Sequence, residues 1–110
     1  MKDTIRREAD AAGKLRQMIA VLESERQALA GFDAEALSAA THQKEQLCDA
    51  LEPMSGDGLD EEALSLARTA QHLNEVNRRV RNLLAANVAA RLEALDTARG
   101  SSVTGQIARA

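Results

Sequence analysis

Apolar side chains recur at three- and four-residue spacing along three stretches of this chain, and nowhere do they alternate with period two over a sustained run. The first stripe is Ile5, Ala12, Leu15, Ile19, Leu22 and Leu29, with Glu8 and Arg26 on the same seam. It predicts a helix over about residues 3–30, whose N-terminal turns are weakened by Gly13 and which Gly31 ends in a left-handed conformation. The second stripe is Leu37, Ala40, Lys44, Leu47 and Leu51. It predicts a helix over about residues 33–52, opened by Asp33 as N-cap and by Phe32 stapled onto Leu37. Pro53 is expected to stop it, with residues 53–59 as a loop rich in turn-forming Ser and Gly. The third stripe runs Leu66, Ala70, Leu73, Val76/Asn77, Val80, Leu84, Val88, Leu92, Leu95. It predicts one helix over about residues 60–99, capped by Asp60, started by Glu61 and Glu62, and stopped at Gly100. The small and polar residues 100–110 are expected to be a disordered tail.

These elements differ in length. At 1.5 Å per residue they measure about 42, 30 and 60 Å, and short connections make neighbouring helices antiparallel. The expected fold is therefore all-α: one domain over residues 1–99, an elongated three-helix bundle or coiled coil. Its third helix should overhang the bundle by about 30 Å. That leaves an apolar stripe without a covering element, which calls for a partner, either a client helix or a second copy. The candidate binding residues are Val80, Leu83, Leu84, Asn87, Val88, Arg91, Leu92 and Leu95. The competing expectation is that the helix bends near Asn87 and folds back, although no Pro or Gly lies between Asp60 and Arg99.

Composition sharpens this picture. One Phe, no Trp and no Tyr leave the apolar surface to Ala and Leu, which suit narrow helix–helix seams. A net charge of -3 argues against a general nucleic-acid or membrane-surface binder, and no stretch approaches the roughly 20 apolar residues of a membrane span. The lone Cys48 fits a reducing, cytoplasmic setting and is read as a half-buried small hydrophobe beside Leu47 and Leu51. His42 and His72 fall on outward faces and, with Cys48, lack metal-ligand spacing, so neither metal nor cofactor is expected. Glu23 and Glu25 read as a solvated face, and Asp60, Glu61 and Glu62 as helix-start charges. No phosphate loop, nucleophile elbow or nucleotide fingerprint accompanies them, so an enzyme is not expected.

The basic feature is Arg78, Arg79 and Arg81. Residues 64–99 carry six arginines against Glu75, Glu93 and Asp96, a local charge of about +3. A solvated face with Glu75 paired to Arg79 explains most of it, with steering of an acidic client helix as a further role. Asn77 and Asn87 lie on or beside the seam, where an amide either fixes register or bonds a partner's backbone. Periodicity leaves both readings open.

The run Gly31-Phe32-Asp33-Ala34-Glu35-Ala36-Leu37, followed by Lys44 and Leu47, resembles the signature between the first two helices of the FlgN family. Asn74-Glu75-Val76-Asn77-Arg78 resembles the Asn–x–x–Asn–(Arg) motif of that family's long last helix. Together the matches cover about residues 5–99. The resemblance implies a cytoplasmic type III export chaperone of the flagellum. Such a protein holds the C-terminal helical segment of a hook-associated (hook–filament junction) protein, keeps it from premature assembly and delivers it to the export gate. It also implies client binding through the C-terminal helical part, the stretch that the length comparison leaves uncovered. The chain departs from the family in lacking an aromatic after Phe32, which weakens the expectation of a tail contact with the gate. The rival expectations are a homodimeric structural rod whose stripe pairs with itself, and a regulator that binds another protein's helix outside any secretion system.

Overall fold

The structure, a computed structural model, describes the backbone over residues 2–54 and 59–109 and side chains over 9–54 and 59–100. Among the described residues three α-helices follow one another, α1 (Lys2–Ala30), α2 (Ala34–Leu51) and α3 (Glu61–Arg109), with a 3-10 turn, Glu52–Met54, after α2. The fold is all-α, as the spacing predicts. Contacts divide the chain into two compact units, Met1–Arg78 and Arg79–Ala110. The division falls inside α3.

The first unit holds the core. Ala11, Ala12, Leu15, Met18, Leu22, Ala28 and Leu29 of α1 are buried, together with Ala40 of α2 and Ala63 and Ala70 of α3. The number of alanines matters, because a methyl side chain lets helix axes approach closely. Met18, Leu22 and Ala70 form the centre, with Ile19, Leu47, Leu51 and Leu73 packed around them. Arg16 pairs with Glu62, and further along both helices Leu22 and Glu25 meet Asn77. Within this unit α3 therefore runs parallel to α1 and antiparallel to α2, an up-down-up arrangement.

The α1–α2 turn differs from expectation in one residue. The amide of Asp33 donates to the Ala28 carbonyl at 2.9 Å and that of Phe32 to Leu29 at 3.3 Å, the two bonds of a Schellman motif. The left-handed residue is accordingly Phe32 (φ 52°), and not Gly31. Asp33, the N-cap of α2, follows in an extended conformation (φ -90°, ψ 96°), and its carboxylate accepts from the Ala36 amide at 3.0 Å. Phe32 is 70% exposed, so the expected staple onto Leu37 does not bury it.

Asp60 caps α3 as predicted, accepting from the Ala63 amide at 2.8 Å. α2 ends at Leu51, ahead of Pro53 as expected, and Pro53 sits within the 3-10 turn that follows, where its fixed φ is compatible. Residues 55–58 of the expected loop lie outside the described residues. At the far end α3 continues through Gly100 to Arg109, in place of the expected stop and disordered tail. Glycine lowers helix propensity by about 1 kcal/mol without forbidding the conformation. There is no fold-back at Asn87.

Candidate functional site

Two features gather the residues singled out by the sequence. One is a buried polar cluster in the first unit, and the other is an uncovered stripe in the second.

Each helix contributes one polar residue to the cluster from its apolar seam. On α1 the buried positions Leu15, Met18, Leu22 and Leu29 define a heptad-like row whose remaining member is Glu25, 0% exposed. Glu25 is thus a core residue and not part of a solvated face. Arg26, expected on the seam, is exposed. On α2 the row Leu37, Ala40, Lys44, Leu47 places Lys44 opposite it, and its ammonium lies 3.2 Å from Glu25 Oε2 and 3.5 Å from Oε1. On α3 Asn77 is also 0% exposed. Its Nδ2 donates both hydrogens, to the Leu22 carbonyl at 2.8 Å and to Glu25 Oε1 at 2.9 Å. The opposite amide orientation would turn Oδ1 toward two acceptors, so this arrangement is fixed by its surroundings. Asn77 Oδ1 remains buried without a partner. Asn74, one turn earlier, accepts from Lys44 Nζ at 2.8 Å.

Lys44 and Asn77, which the sequence places in two separate motifs, therefore converge on one carboxylate, with Asn74 accepting from the same ammonium. Asn77 faces the core and not a client. The cluster is a clasp: the carboxylate is neutralised by an ammonium and bound by an amide. Arg78, the third residue of the α3 motif, is exposed and donates from Nε and Nη2 to Glu75 at 2.9 and 2.6 Å. The hydrogen bond to Glu75, and then that carboxylate's charge, hold the Arg78 guanidinium above its ordinary pKa. Glu75 thus meets the arginine three residues on.

In the second unit α3 presents its own side chains. Val80 and Leu84 are half-buried, while Asn87 and Arg91 are exposed. Val88, Leu92 and Leu95 are 44, 58 and 63% exposed. At 3.6 residues per turn Leu84, Val88, Leu92 and Leu95 share one face. Leu83, 71% exposed, points elsewhere and does not belong to that stripe.

Other candidate chemistry does not assemble. Cys48, expected to be half-buried, is an exposed free thiol. His42 and His72 are exposed. Among the described residues no group of three or more His, Cys, Asp or Glu is placed to hold a metal ion, and no helix is long and apolar enough to cross a membrane. The sequence reading missed Glu25, although its signal was present. Counting Met18 instead of Ile19 into the seam puts Glu25, not Arg26, at the next core position. No family model, no curated protein and no solved structure compared with this chain matches it.

Proposed function

We propose that this chain is a helical client-binding chaperone of the FlgN type, acting in the cytoplasm as a type III export chaperone. In this reading it holds the C-terminal helical segment of a flagellar hook-associated protein and presents it for export, without catalysis, metal or cofactor. The observation that supports it is the uncovered stripe Leu84, Val88, Leu92 and Leu95, three of whose four members are more than two-fifths exposed. An apolar row of this kind on a long helix is a helix-pairing surface. Burial of one Leu or Val contributes roughly 1.5–3 kcal/mol before ordering costs, so four contacts support micromolar or tighter binding.

The test is size-exclusion chromatography with light scattering, on the chain alone and mixed with a C-terminal fragment of a hook-associated protein. A complex of defined stoichiometry is expected. A stable dimer that ignores the fragment would replace this reading with the homodimeric rod.

A further inference from the structure

We draw no further inference here: the strongest candidate, the uncovered apolar face of α3 formed by Leu84, Val88, Leu92 and Leu95, belongs to the site already described, and nothing in the structure shows what covers it.

Discussion

Phe32 occupies a left-handed conformation that costs a residue with a β-carbon about 1–2 kcal/mol, while the glycine able to adopt it freely stands one position earlier. Its ring is 70% exposed and returns little packing. Phe32→Gly is therefore expected to raise the urea midpoint with an unchanged m-value, a gain of about 1 kcal/mol after the added backbone entropy of the unfolded chain. A lower midpoint would mean that the ring packs more than its exposure implies. The same residue shows where residue-scale reading stops. Gly31 is the usual helix terminator, and Asp33 reads as an N-cap. The cap assignment holds, while the left-handed position falls one residue after Gly31, where the two bonds of the Schellman motif place it. The Asp33 carboxylate satisfies the Ala36 amide, an otherwise orphaned donor.

At the scale of the helices, Glu25, Lys44 and Asn77 stand where apolar residues would fill the seam. Sliding one helix by a turn would bury a carboxylate or an amide against leucine, so the cluster penalises every register but one. Lys44→Met leaves the Glu25 carboxylate in the core without its ammonium and is expected to cost about 3 kcal/mol in urea unfolding. Replacing all three together, Glu25→Leu, Lys44→Met and Asn77→Leu, removes the desolvated charges and the orphaned Asn77 oxygen. The triple variant is expected to be as stable as the parent or more so by up to about 4 kcal/mol. Its amide NMR spectrum should broaden or multiply as alternative helix pairings become populated. A triple variant that unfolds would instead make the cluster a net source of stability. Lys44 and Asn77 were legible as polar positions on apolar stripes, and both caps, Asp33 and Asp60, were legible from their spacing. That the polar positions meet at one level was not, since it depends on the rotation of each helix about its axis. Sequence fixes that rotation only to within the choice between Ile19 and Met18 on the seam.

Across the whole molecule, the buried side chains and the proposed binding stripe lie in different parts of the chain. The core-forming side chains lie in Met1–Arg78, and the stripe assigned to the client lies in Arg79–Ala110. In the sequence the third apolar row is longer than the first two. It did not show that the helix passes Gly100, because one glycine in a run with no proline weakens a helix without ending it. Val88→Asp combined with Leu92→Asp separates the two roles. Both side chains are already exposed, so nothing is buried unpaired. Asp is only a moderately poorer helix former than Val or Leu. The urea-unfolding free energy is therefore expected to stay within about 1 kcal/mol of the parent, with most of the helical circular dichroism retained. Binding of the hook-associated fragment should fall at least a hundredfold, since two apolar contacts become charges that must be desolvated on docking. A loss of several kcal/mol of stability would place Val88 and Leu92 in the core of the folded chain. The stripe would then be a structural seam, and the client site would have to be sought on another face.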